Sequence, residues 1–120
     1  MIEIINKQKC CWINKDNFIS LIKKMIEHFD LHDPEVILTF VDDQEMMRLN
    51  KQYRDMDAST DVLSFSLNEK GPDGKFYLGD IVISVPKAYE QSKEKKHTLE
   101  KELKVLTIHG FLHLLGYEHF

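Results

Sequence analysis

The spacing of apolar residues changes repeatedly along this 120-residue chain, and this change is what most restricts its fold. Between Phe18 and Phe29, apolar side chains recur at helical intervals, which produces the wide stripe of a helix packed on one side. The next apolar run, residues 36–41, is uninterrupted and rich in β-branched side chains, as is typical of a strand buried on both faces. Helices that alternate with such strands predict a sheet covered by helices.

Polar and turn-forming residues mark the ends of the first two predicted helices. Asn14 or Asp16 can cap the start of the first helix, and the Asp33-Pro34 pair is expected to end it. Asp42 with Glu45 forms the pattern of a capping box, which predicts a short second helix directly after the strand.

The other predicted elements are an edge strand, a two-stranded antiparallel hairpin and two helices, over residues 2–5, 61–67, 78–85, 87–96 and 99–115. The turn at residues 71–74 joins the hairpin. Thr98 can cap the last helix, and Gly116 is suited to end it. The intermixed order predicts one α+β or α/β domain over residues 1–120, with a small mixed sheet.

Composition and cysteine placement exclude several classes of protein. No apolar run approaches the roughly 20 residues that span a bilayer, and the N-terminus lacks the order of a secretory signal. Cys10 and Cys11 are adjacent, so a disulfide between them would be strained and would close no useful loop. We therefore expect a cytoplasmic protein without a membrane partner. The net charge of −4, taken alone, argues against an obvious nucleic-acid binder.

Three histidines near the end of the chain carry the most specific chemistry. His109 and His113 are four residues apart, so on a helix both imidazoles can converge on one metal ion. Gly116 can then reverse the chain and bring back His119 as a third ligand. The spacing H-x-x-x-H-x-x-G-x-x-H is that of the metzincins, and it outweighs the alternative that these histidines merely pack or face solvent. Three imidazoles favour zinc, although nickel, copper or iron would also fit.

One residue in this motif disfavours a peptidase. Zinc proteases carry glutamate directly after the first histidine as the general base, whereas this chain has Gly110. The nearby Glu118 is more readily explained as an exposed loop acid. Structural zinc sites usually have four protein ligands, so a set of three leaves an open position and favours catalysis.

Three segments together resemble the YbeY endoribonucleases, a family also described as ribosomal RNA maturation factors. The segments are HGFLHLLGYEH at residues 109–119, Arg54 with TDVLSF at residues 60–65, and LGDI at residues 78–81. The resemblance implies a zincin-like α+β fold with its metal-binding helix near the C-terminus. It also implies one zinc ion per chain, held by His109, His113 and His119.

The same resemblance implies metal-dependent cleavage of single-stranded RNA, maturation of the 3′ end of 16S rRNA and ribosome quality control. The expected partners are single-stranded RNA and the small ribosomal subunit or its proteins, and no DNA. Arg54 corresponds to the family's catalytic arginine, and a guanidinium can bind a phosphate and offset the charge of a phosphoryl-transfer transition state. Asp61 and Ser64 either line the site or serve as a turn cap and an ordinary strand residue.

Two further expectations concern the chain end and the surface. Family members normally continue past the third histidine into an acidic segment, whereas this sequence stops at Phe120; we expect either a missing tail or a loosely held third ligand. His28, His32 and His97 are expected at the surface. A zinc ion, Arg54 and the lysines of residues 93–104 could form one positive cleft on an acidic protein.

Two functions from other classes remain open at this point. One is a metal-dependent hydrolase such as a peptidase or amidase. The other is a non-catalytic, ribosome-associated protein with a structural zinc ion.

Overall fold

The computed structural model describes residues 1–54 and 60–117, in which helices and strands alternate as the sequence predicts. The strands are β1 (Ile2–Asn6), β2 (Glu35–Val41), β3 (Val62–Lys70) and β4 (Phe76–Ser84). The helices are α1 (Lys15–His28), α2 (Asp43–Arg54), α3 (Val85–Glu94) and α4 (Leu99–Leu114). The order along the chain is β1-α1-β2-α2-β3-β4-α3-α4.

The sheet is mixed, with the strand order β1-β2-β4-β3. β1 and β4 each pair in parallel with β2, and β3 pairs antiparallel with β4. The predicted edge strand and the predicted antiparallel hairpin are therefore confirmed. β3 forms the other edge of this sheet.

Side-chain caps begin the helices where the sequence predicts them. The Asn14 Oδ1 atom accepts from the Asp16 amide (3.1 Å) at the start of α1, and the Asp42 Oδ1 atom accepts from the Glu45 amide (3.1 Å) at the start of α2. The Thr98 Oγ1 atom accepts from the Lys101 amide (3.1 Å) and caps α4.

The end of α1 differs from the prediction. The helix ends at His28, several residues before Asp33-Pro34. Asp30 adopts a φ of +54°, its amide donates to the Glu27 carbonyl oxygen, and the Leu31 amide donates to that of Ile26. This is a Schellman motif with aspartate in the position that glycine usually fills, so the sequence lacks the usual signal for it.

Two apolar clusters cover the two faces of the sheet. The larger cluster joins side chains of α1, α3 and α4 to the sheet, and its fully buried members include Phe18, Leu38, Ile81 and Phe111. The smaller cluster lies under α2 and consists of Val41, Met46, Leu63 and Val82. Adjacent strand residues such as Ile81 and Val82 point to opposite faces, so α2 lies across the sheet from α4. The α+β fold class with a small mixed sheet is confirmed.

None of the helices in the described part of the chain is long and apolar enough to cross a membrane. This finding agrees with the composition, in which no apolar run reaches the length of a bilayer span.

His97 does not lie free at the surface, contrary to expectation. Its Nε2 atom is 2.6 Å from Oε1 of Glu102, whose side chain is completely buried, and Lys95 Nζ is 3.2 Å from the other carboxylate oxygen. The buried carboxylate thus has two nitrogen partners at the junction of α3 and α4, as a charge shielded from water requires. Spacing within one helix could not predict this contact, because Lys95 and His97 precede α4.

Cys10 and Cys11 lie in the loop between β1 and α1, with their Sγ atoms 2.7 Å apart. The Gln8 side chain holds this loop, since its amide nitrogen donates to the Cys11 carbonyl oxygen (2.8 Å) and its amide oxygen accepts from the Cys11 amide (3.1 Å). Burial, and then the neighbouring Cys10 thiol, raise the pKa of Cys11 to about 11.

We expect the Cys11 thiol to react slowly with iodoacetamide at pH 8. A pKa raised from 9.0 to about 11 lowers the thiolate fraction about a hundredfold, and the stronger nucleophilicity of a more basic thiolate recovers about tenfold. Mass spectrometry after timed quenching should show a rate about tenfold below that of an ordinary thiol. The rate should rise in Cys10→Ala, which removes the neighbour's contribution. A wild-type rate equal to that of free cysteine would contradict this prediction.

Candidate functional site

α4 presents two of the three predicted ligands from one surface. Its apolar side, with Leu103, Leu106 and Leu114, is buried against the sheet and α1. His109 is half-buried and His113 is exposed, one helical turn further along. Side chains four residues apart on a helix have Cβ atoms about 5–6 Å apart, which suits two imidazoles that bind one ion.

The chain turns sharply at the end of α4. Gly116 has a φ of +94°, its amide donates to the His113 carbonyl oxygen (3.0 Å), and the Tyr117 amide donates to that of Leu112 (3.0 Å). These two bonds define a Schellman motif and confirm Gly116 as the residue that ends the helix. The third predicted ligand, His119, lies outside the described residues, as does Glu118.

Gly110 lies where a zinc protease has its catalytic glutamate, and packing explains the glycine. A Cβ atom at this position would come within 2.7 Å of Ile81 Cγ2 and 3.1 Å of Ser64 Oγ. The Ser64 hydroxyl donates to the Gly110 carbonyl oxygen (3.1 Å), which ties β3 to α4. The helix therefore approaches the sheet too closely for a longer side chain, and the protease base has no room here.

An irregularity in the hairpin holds the end of α4. The register of β3 against β4 shifts between Ser66 and Glu69. Within the shift, Asn68 adopts a φ of +47° and its side-chain amide donates to the Leu114 carbonyl oxygen (3.3 Å). Bulges commonly redirect a side chain in this way. The bond satisfies one of the last carbonyl groups of α4 and holds His113 beside the edge strand.

A cleft of about 520 Å³ lies beside His113 along the edge strand β3. Its lining residues come from α2, β3 and α4 and are Tyr53, Val62, Leu63, Ser64, Phe65, Ser66 and His113. The rings of Tyr53 and Phe65 meet edge to face, with centroids 5.1 Å apart. Arg54 follows Tyr53 directly as the last residue of α2, and its side chain lies outside the described part of the structure.

The two ambiguous residues of the sequence have different positions. Ser64 lines the cleft and also anchors α4, so both of its proposed roles are compatible with the structure. Asp61 contacts other elements: its carbonyl oxygen accepts from the Ser84 amide (2.9 Å), and its carboxylate accepts from the Gln91 side chain (3.3 Å). The structure thus gives Asp61 a role in joining the start of β3 to β4 and α3.

Asp80, in the LGDI segment, lies half-buried on β4 directly opposite Phe65 of β3. Burial raises the pKa of its carboxyl group. Asp80 and Val82 share the α2 face of the sheet, since alternate residues of a strand point the same way. This carboxyl group is therefore on the other face of the sheet from Gly110 and Ile81.

The donor set fits a metal ion that is held in part by residues beyond those described. Among residues 1–54 and 60–117, no three His, Cys, Asp or Glu side chains form a group that could hold a metal. A site at His109 and His113 therefore needs at least one donor from elsewhere, and His119 follows Gly116 three residues later in the sequence. Two imidazoles one helical turn apart, with His113 on the wall of an open cleft, suit a zinc ion that keeps a position free.

Sequence comparison assigns the family. A model of the family described as endoribonuclease YbeY matches residues 3–120. The chain belongs to the YbeY family. An endoribonuclease YbeY from Moorella thermoacetica is 55% identical over 95 residues, which cover 72% of this chain and 61% of that protein. Another from Oceanobacillus iheyensis is 44% identical over 117 residues, which cover 87% of this chain and 76% of that protein.

A solved structure supports the YbeY assignment at the level of the fold. The solution structure of TM1509 from Thermotoga maritima is similar to this chain with a TM-score of 0.64 and 34% sequence identity. The match covers 100% of this chain and 75% of TM1509. The chain thus spans between about three fifths and three quarters of the length of these relatives.

Tyr53, Phe65, Ser66 and Asn68 are the site residues that the sequence did not single out. Phe65 lies in a segment quoted for the YbeY resemblance, and Tyr53 directly precedes Arg54, so proximity to a motif was the available signal. Ser66 and Asn68 have no such signal, because their positions depend on the bulge in the hairpin.

Proposed function

We propose that this YbeY-family protein is a metal-dependent endoribonuclease that cleaves single-stranded RNA in the cleft beside His113. The observation that carries the proposal is the position of His113 on the wall of an open cleft, one helical turn after His109, on a helix whose Gly110 excludes the peptidase base. The relatives named endoribonuclease YbeY support RNA as the substrate.

In this proposal His109, His113 and His119 would hold one zinc ion per chain. Zinc bound there would supply Lewis-acid chemistry to a phosphodiester. Arg54, at the end of α2 next to the cleft residue Tyr53, would bind nonbridging phosphate oxygens through its planar guanidinium group. This positive group would offset charge that develops on the phosphate during cleavage.

The net negative charge of the protein favours recognition of RNA at one local site over recognition by a broad basic surface. The net charge is −4, and several lysines of the 93–104 segment are engaged by the protein itself. Lys95 contacts the buried Glu102, Lys104 contacts Glu100, and Lys93 lies over the Tyr89 ring. We therefore assign phosphate binding to Arg54 and the metal site. The lysines of the segment 93–104 contribute less to RNA binding than the sequence suggested.

The finer biological role follows from the family resemblance and belongs to the same proposal. We propose that the protein acts in the cytoplasm on the 3′ end of 16S rRNA and in ribosome quality control. Its partners would be the small ribosomal subunit or its proteins. A non-catalytic ribosome-binding protein with structural zinc is the main competing function, and it predicts binding without cleavage.

The test is cleavage of a labelled single-stranded RNA by purified, zinc-loaded protein. Cleavage should stop when a chelator removes the metal and return when zinc is restored, and the same RNA in a perfect duplex should be a poor substrate. Casein should remain intact. Binding of RNA without cleavage by the zinc-loaded protein would contradict the enzyme and support the structural-zinc alternative.

The role of Arg54 is tested in the same assay. Arg54→Ala should lower kcat about 100- to 1,000-fold, as is typical when one group that stabilises transition-state charge is removed. The matched control is Arg48→Ala, which removes an exposed arginine of the same helix that pairs with Glu45 (2.7 Å) outside the cleft. Equal activities of the two variants would contradict a catalytic role for Arg54.

A further inference from the structure

We propose that Tyr53 and Phe65 form a stacking subsite for one unpaired nucleobase of the substrate, beside His113. The inference rests on the proposed function, since it names how that site recognises single-stranded RNA. It concerns two aromatic side chains of the cleft wall to which the sequence patterns assign no role.

The two rings differ in exposure, so Phe65 is the fixed ring and Tyr53 is the ring that is open to a ligand. Phe65 packs against the small apolar cluster under α2 and is half-buried, so its ring is held in place. Tyr53 is 59% exposed although it contacts that ring at a centroid distance of 5.1 Å and an interplanar angle of 64°. Packing in the core therefore does not account for an aromatic residue at position 53.

The edge-to-face contact orients the Tyr53 ring without covering it. In this arrangement the edge of one ring meets the face of the other, so aromatic surface remains open to a third planar group. Because Tyr53 and Phe65 both line the cleft with His113, that open surface belongs to the same space as the candidate metal ligand. The cleft volume of about 520 Å³ lies within the range of roughly 300–1,000 Å³ typical of small-molecule sites.

The edge strand provides polar groups next to the aromatic pair. β3 has β4 on one side, and no strand of the described sheet pairs with its other side. The Ser64 and Ser66 side chains also line the cleft, and Ser66 is exposed. Backbone and hydroxyl groups of this kind can donate to or accept from the edges of a base that stacks nearby.

Stacking suits this protein better than a broad cationic groove. The described lining of the cleft holds no lysine or arginine that could follow a phosphate backbone, whereas every nucleobase offers a flat π-surface whatever its sequence. In a duplex both faces of a base are covered by its neighbours, so such a subsite accepts only an unpaired base. The aromatic pair therefore supplies the preference for single strands, while Arg54 and the metal site act on the phosphate.

The experiment compares Tyr53→Leu with Tyr53→Phe on a single-stranded RNA that carries 2-aminopurine. Stopped-flow fluorescence follows stacking of this base before cleavage, and steady-state kinetics separate KM from kcat. Tyr53→Leu should lose the fluorescence quench and raise KM about tenfold or more, with a smaller change in kcat. Tyr53→Phe keeps the ring and should retain both the quench and a KM close to wild type.

Tyr89→Leu is the matched control, because Tyr89 is an exposed tyrosine on α3 that does not line the cleft. A wild-type quench and KM in Tyr53→Leu, in a protein that cleaves RNA, would overturn the subsite and leave the proposed function intact. A quench that depends on Tyr53, in a protein that does not cleave RNA, would overturn the function and leave the subsite. Thermal melting of Tyr53→Leu checks that the substitution has not unfolded the protein.

Discussion

Replacing His113 with alanine is expected to lower zinc affinity more than about a hundredfold and to reduce RNA cleavage to background. Loss of residues that only support metal ligands already costs about 10- to 100-fold, so loss of a ligand should cost more. His113 is exposed, and its removal opens no cavity in the core. His109→Ala should have a comparable effect on zinc, because both imidazoles would serve the same ion.

Zinc affinity is measured by competition with a chromophoric chelator, and cleavage is measured with the labelled RNA. His32→Ala is the control, since His32 is an exposed histidine of the segment between α1 and β2 and lies outside the motif. Its affinity and activity should match the wild type. If His113→Ala bound zinc as tightly as His32→Ala, the proposed metal site would be wrong.

Replacing Gly79 with alanine is expected to lower the free energy of unfolding by about 3 kcal/mol or more. Gly79 is buried in β4 with a φ of +152°, a backbone conformation that residues with a side chain rarely adopt. A Cβ atom would clash with the backbone carbonyl oxygen of Phe65 and lie 2.7 Å from Leu114 Cδ2. The neighbouring strand cannot move aside without disturbing the bulge that holds the end of α4.

Gly74→Ala separates backbone strain from this steric clash. Gly74 also has a positive φ, of +84°, but a Cβ atom there would meet no atom within 4 Å. We expect this control to cost about 1 kcal/mol from backbone strain alone. Urea unfolding followed by circular dichroism measures both variants, and equal losses of stability would contradict the packing explanation for Gly79.

Local sequence signals predicted most of the fold because they act within a few residues. Asn14, Asp42 and Thr98 cap the helices whose starts they were expected to mark, since each side chain bonds to an amide two or three residues ahead. The end of α1, which the sequence did not predict correctly, is also set by a local signal. Asp30 adopts a left-handed conformation that glycine usually signals, so the sequence favoured Asp33-Pro34 as the end of the helix.

The spacing of His109, His113 and Gly116 also acts locally, through the helical repeat and the turn that follows it. It was enough to propose a metal-binding helix. The sequence could not explain why residue 110 is glycine, because the reason is the short distance between α4 and Ile81 of β4. Contacts such as His97 with Glu102 depend likewise on how two helices meet.

The sequence by itself determined the order of helices and strands, the one-turn spacing of two histidines and the family of the chain. Only the tertiary structure decided that β3 is a sheet edge, that its bulge holds the end of α4, and that Tyr53 meets Phe65 beside His113. The physical reason is that caps and turns are set by neighbouring residues, whereas a cleft forms where elements distant in sequence pack together. Tyr53, Phe65 and His113 come from three such elements, and no periodicity along the chain relates them.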